Sequence, residues 1–239
     1  PLIGPGTVVL TAMNGVPWWF LQGFGGPVQN RALASVDPDG TITRAIPAPH
    51  VVGCVVHASC SVDAPGVIRH HFGDGLIVGE PSGQATPRVQ ALHALLQKSG
   101  FNAMLSPQIQ KDIWFKLWGN MTVNPISAIT GATSDRLLDD DLVRGFMSSV
   151  MREAKAIGEH IGIPIPQEPE DRHAVTRKLG AFKTSMLQDV QAGKPVELDA
   201  LVSAVRELGQ MTGVATPFTD ALLGLSRLHA RVLGLYPPQ

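Results

Sequence analysis

The chain has 239 residues, 44% of them apolar, with 19 basic against 20 acidic side chains and a formal charge of −1. This is the composition of a globular protein with neither the basic footprint of a nucleic-acid binder nor an acidic tail. Two cysteines cannot staple a chain of this length, so apolar burial must hold it together, as suits a reducing compartment. No apolar run approaches the roughly 20 residues that cross a bilayer, so no membrane span is expected.

In chain order, Thr7 to Met13 is β-branched and apolar on both faces, as in a strand buried within a parallel sheet. It stops at Asn14-Gly15, a dipeptide that favours a sharp turn at the carboxyl end of the strand, where open α/β sheets place their ligands. Residues 16–50 are rich in glycine and proline and predict loops with a short helix at most. Val51 to Ser61 predicts a second buried strand, and 66–72 and 75–79 predict two short antiparallel meander strands. Residues 85–100 space their apolar side chains as an amphipathic helix that ends at Gly100. From Pro107 the spacing is helical throughout, with helices predicted at about 107–124, 125–133, 138–161, 168–191, 197–213 and 216–234. Asp139-Asp140-Asp141 is expected to cap and solvate a helix start.

The stretch from Asp112 to Pro125 carries the most chemistry. Lys116, Asn120 and Asn124 step by four and share one helical stripe beside an apolar stripe of Trp114, Leu117, Trp118 and Met121. Pro125 removes a backbone donor, so a kink is expected at Asn124. One reading pairs Lys116 with Asp112 on a wet face. The other sets the row in a cleft, where an ammonium and two amides suit a 2-oxo acid. Asparagine is a poor helix former, and two beside two tryptophans make an odd solvated face. Ser185 and Glu197, taken singly, are a helical serine and a first-turn acid. Cys54 and Cys60 share one face of a strand and His57 takes the other, so no metal site is expected. His70-His71 is expected to place one ring inward and one outward.

Together, Asn14-Gly15 after a strand, the Lys116…Asn120…Asn124-Pro125 row, Thr184-Ser185-Met186-Leu187-Gln188-Asp189 and Glu197-Leu198-Asp199 resemble the ketopantoate reductases (2-dehydropantoate 2-reductases), in order and over nearly the whole chain. The resemblance implies an α/β N-terminal part, an incomplete Rossmann-type dinucleotide-binding domain at 1–106, followed by an all-α substrate and catalytic domain at 107–239. It implies a cytoplasmic enzyme that uses NADPH to reduce a 2-oxo acid, foremost 2-dehydropantoate to pantoate in pantothenate and coenzyme A biosynthesis. The small-molecule acid is then the partner; the oligomeric state is not readable from the sequence, although the long apolar helices are compatible with a homodimer. Lys116 resembles the general acid. Asn120, Asn124, Ser185 and Asn14 resemble substrate-binding groups, and Asn14, Ser59 and Glu197 the groups that meet the cofactor.

Three features depart from the family pattern. Ser134 stands ten residues after Asn124 where an asparagine is expected, and Phe182 replaces a polar residue three before Ser185. A different oxo or imino acid, or a catalytically silent relative, therefore stays open. The G-x-G-x-x-G loop that cradles pyrophosphate is missing from the sequence. The resemblance thus predicts that about 85 to 100 residues of a longer protein precede these.

Overall fold

The computed structural model describes residues 2–238. Its sheet has the order β1-β2-β3-β4. Strand β1 (Val9–Ala12) pairs in parallel with β2 (Val51–Ala64), β2 pairs antiparallel with β3 (Val67–Gly79), and β3 pairs in parallel with β4 (Asn102–Leu105). The 13–50 connection contains one short α-helix, α1 (Thr41–Ala45), and a 3-10 turn at Ala48–His50. It is more than a loop, because Val16, Trp19, Phe20, Leu21, Val28 and Leu33 are all buried in the main core.

The two predicted meander strands are a single long one. Gly73, at φ 76°, takes a bulge opposite His57 and Ser59, where a Cβ would come within 2.4 Å of the His57 carbonyl oxygen, and the ladder continues past it. The inner half of the β2–β3 hairpin is buried and its outer half stands exposed beyond the sheet. His70 and His71 consequently both lie at the surface, against the expectation of one inward ring, and bond to Gly73 O and Ser61 Oγ respectively. Strand β4 has no counterpart in the sequence reading. Helix α2 (Pro87–Lys98), capped by Thr86, packs on β4.

The helical run begins with α3 (Ile109–Thr130), which passes unbroken through Pro125. The expected interruption at Asn124 does not occur. Every residue from Met121 to Ala128 is buried, and this packing outweighs the roughly 3 kcal/mol that an internal proline costs. Helices α4 (Ser134–Asp139) and α5 (Asp141–Ile161) meet at Asp140, whose Oδ1 accepts from Leu142 N and Val143 N, the cap expected of the acidic run. The segment 168–191 is not one helix but two, α6 (Pro169–Arg177) and α7 (Ser185–Gln191). Gly180 turns the chain at φ 64° between them, and Thr184 Oγ1 restarts it by accepting from Leu187 N. A wide π turn over Asp199–Ser203 leads into α8 (Ala204–Thr212), and α9 (Pro217–Val232) completes the fold.

Helix α3 is the axis, contacted by α5, α7, α9 and β2. One apolar cluster joins Trp19, Phe20 and Val51 from the strand-bearing part to Trp114, Trp118, Met147 and Leu201 from the helices. Among the described residues no helix is long and apolar enough to cross a membrane.

Gly53 marks where sheet and axis touch. A Cβ there would lie 2.5 Å from Trp19 and 2.7 Å from Ile109. Both neighbours are buried, so neither gives way cheaply. Gly53→Ala is expected to lower unfolding free energy by about 1–3 kcal/mol, read as a reduced urea midpoint at constant slope. An unchanged midpoint would mean that the junction is looser than described.

Candidate active site

The turn after β1 is fixed before any catalytic side chain is placed. Gly15 adopts φ 76°, and a Cβ on it would come within 2.5 Å of Ala200 O, so only glycine fits. Val16 N donates to the same Ala200 oxygen at 2.8 Å. The end of the first strand is thereby clipped to the distant π turn at Ala200, and Asn14 is aimed across the top of the sheet.

Lys116 projects from α3 toward that point. Its Nζ donates to Asn14 Oδ1 at 2.9 Å and to the Val56 carbonyl of β2 at 2.6 Å. The alternative pairing with Asp112 does not form, because Asp112 Oδ2 accepts from Ser106 Oγ instead. Burial depresses the pKa of Lys116, opposed by the nearby Cys54 and Glu197 and reinforced by Arg172. The Glu197 carboxyl is pushed the other way, upward, first by burial and then by Asp189, while Asn14 and Lys116 hold it down. Asn14, Lys116 and Glu197 therefore form one electrostatic unit. Cys54 beside them is a buried thiol raised to about 11, which leaves it protonated and unreactive.

One and two turns further along α3, Asn120 and Asn124 line a small cavity of ≈ 60 Å³ together with Ser134, Arg172, Phe182 and Thr184. The Ser134 and Phe182 departures from the family pattern thus face the same space as the amides. Ser134 Oγ donates to Gly180 O, which spends its proton, and the Phe182 ring meets Phe72 from the exposed hairpin edge-on at 6.4 Å. Ser185 occupies the first position of α7, exposed, next to Thr184, and it is Thr184 that faces the cavity. Ser59 lies three residues beyond Val56 on β2, and its side chain makes no hydrogen bond among the described residues.

Arg172 is the feature that sequence reasoning missed. Its charge, that of Lys116 and the polarity of His57 converge: both cations lower the His57 pKa, after burial, against a single opposing carboxylate, Asp112. Two cations, Lys116 and Arg172, thus share the cleft with the Glu197 carboxyl. Among the described residues no group of three or more His, Cys, Asp or Glu side chains is arranged to hold a metal ion.

The signature of the ketopantoate reductase PanE/ApbA C-terminal domain matches residues 108–230. The chain is 45% identical over 236 residues to a 2-dehydropantoate 2-reductase of Mesorhizobium japonicum, covering 99% of this chain and 72% of that one. A crystal structure of a protein assigned to the ketopantoate reductases from Ralstonia solanacearum MolK2 superposes with a TM-score of 0.95 at 59% identity, over 99% of this chain and 72% of the other. At 20% identity, a D-mandelate dehydrogenase solved with NADH and anilino(oxo)acetate shares the fold, with a TM-score of 0.77 over 98% of this chain and 71% of that one.

A lysine whose pKa is lowered on folding leaves the native state with fewer bound protons than the unfolded chain between the two values, so stability rises with pH across that window. Lys116→Met removes this dependence. The variant is expected to stay within about 1 kcal/mol of the parent near neutrality, and the parent is expected to gain on it as pH rises toward about 10. Parallel stability curves in urea titrations at several pH values would contradict the buried amine.

Proposed function

Because the chain belongs to the ketopantoate reductase family of CH–OH oxidoreductases, we propose that it reduces a 2-oxo acid to the 2-hydroxy acid, with 2-dehydropantoate as the first candidate and NADPH as the reductant. The observation that carries this reading is the Lys116 ammonium, held between a strand-end asparagine and a strand carbonyl with Glu197 and Arg172 nearby. The nicotinamide supplies the hydride when bound. Asn14 and Glu197, at the carboxyl end of β1, have the donors and acceptors to meet its carboxamide and ribose, and this is where open sheets bind such groups.

Lys116 Nζ carries a transferable proton already directed by two acceptors. A substrate carbonyl oxygen that takes the place of one of them receives that proton as hydride adds to carbon, so no free alkoxide forms. Glu197 favours the charged amine and so opposes the effect of burial. Asn120 and Asn124 offer amide donors to the remaining substrate oxygens, with Thr184 lining the same cavity and Ser185, exposed at the start of α7, kept as a candidate that substrate must draw in. Ser59 remains a candidate for a backbone approach to the cofactor from β2. The Phe182 wall and the committed Ser134 hydroxyl support a related reading, in which the physiological acid has a more apolar tail than ketopantoate.

The test is oxidation of NADPH, and of NADH in parallel, by the intact natural protein with 2-dehydropantoate and a panel of other 2-oxo acids. Lys116→Ala is expected to lower kcat by about 10²–10⁴-fold while changing KM far less. Wild-type turnover by that variant would remove the general acid from the account.

A further inference from the structure

The mechanism above uses Lys116 and the asparagines and leaves Arg172 without a task. Three observations make that arginine unusual. Its Nε is fully buried and has no hydrogen-bond partner among the described residues, and no carboxylate among them pairs with the guanidinium. Its desolvation is uncompensated, whereas buried charges are normally paired. The interior of α3 also makes room for it at Gly119, where a Cβ would lie 2.6 Å from Arg172 Nε. A glycine between Trp118 and Asn120 costs the helix about 1 kcal/mol relative to alanine, so a close approach is its physical use. Finally, the Phe115 ring lies 5.5 Å from the guanidinium carbon and supports it without neutralising it.

Arg172 borders the ≈ 60 Å³ cavity between Asn120, Asn124 and Thr184. That volume takes a head group of a few heavy atoms. Around it stand a cation, two carboxamides and the Thr184 hydroxyl, whose oxygen accepts from Leu187 N and whose proton remains to be given. Such a donor set fits a planar carboxylate, which a guanidinium grips through two parallel N–H groups.

We infer that Arg172 anchors the carboxylate of the 2-oxo acid and sets the specificity of the site for acids over neutral carbonyl compounds. The inference rests on the reading in the previous subsection and assigns the missing half of substrate recognition. Lys116 addresses the carbonyl oxygen, and Arg172, beside the next turn of α3, addresses the acid group. Orientation of the carbonyl toward the amine then follows from two fixed cations.

The experiment compares the best 2-oxo acid with its neutral carboxamide in wild type, Arg172→Gln, Arg172→Lys and Gly119→Ala, with melting temperature recorded for each. Binding of the non-reacting 2-hydroxy acid is followed by calorimetry. For Arg172→Gln the acid KM and the hydroxy-acid Kd are expected to rise about 30- to 100-fold, with kcat within about 3-fold and the carboxamide unaffected. Arg172→Lys should recover part of the acid preference. Gly119→Ala, which crowds the guanidinium without removing charge, should raise the acid KM in the same direction by less. If Arg172→Gln keeps the acid KM, or weakens acid and carboxamide alike, the anchor is overturned while the reductase reading stands. If the wild type reduces no 2-oxo acid, that reading falls and the anchor falls with it.

Discussion

The site depends on one charge held out of water. The Lys116 amine leaves α3, reaches the end of the sheet and is fixed by Asn14 Oδ1 and Val56 O. Neither acceptor carries a full charge, so its burial is only partly offset, and the amine is left less basic than a lysine in water. A structural role alone is poorly served by such a group, since an apolar side chain would fill the space at lower cost. For proton donation the same features help, because a pKa brought toward neutrality lets the amine give and regain a proton readily.

Much of the fold exists to hold that amine in place. Trp118, two residues from Lys116, is locked by its Nε1 bond to Met151 O in α5, which fixes the rotation of α3 about its axis. Rotation in turn decides that Lys116, Asn120 and Asn124 face the cleft and not the core. On the far side, the contact of Gly15 and Val16 with Ala200 couples the first turn to the π turn that follows Glu197. Tyr236 O–H and Ser203 Oγ both bond to Asp199 Oδ1, which steadies the same turn. Wide turns of this kind recur at functional sites because they displace a backbone carbonyl from the regular ladder. Here a carbonyl of that turn serves the strand end.

What the sequence made legible was periodic or local. The strand ending at Asn14-Gly15, the four-residue spacing of Lys116, Asn120 and Asn124, and the acid run capping α5 follow from backbone geometry, and the coordinates bear them out. The breaks were less legible. Pro125 promised a break between two helices that does not occur, while Gly180 and Thr184 divide a segment whose apolar spacing reads as continuous. Strand β4 is four residues between a helix and a turn, too short for a period to show. Arg172 was invisible for a different reason: its partnerless state is a tertiary fact, and arginines on helices are ordinarily solvated. Its one trace was Gly119, a costly residue in the middle of a buried helix.

Phe72 and Phe182 add a tie between the exposed hairpin and the helical part, and Phe182 also lines the cavity beside Asn120. The polar row thus has a charged end at the sheet and, beside Asn120 and Asn124, a small cavity walled by Phe182. The central claim is the state of the amine at the charged end. It is tested most directly by NMR titration of protein carrying ¹³C at the lysine ε position, with the Lys116→Arg variant used to assign the resonance. The account predicts that the signal lost in the variant titrates below the other lysines and moves when Glu197 is changed to glutamine; a Lys116 signal that titrates with the surface lysines would contradict it.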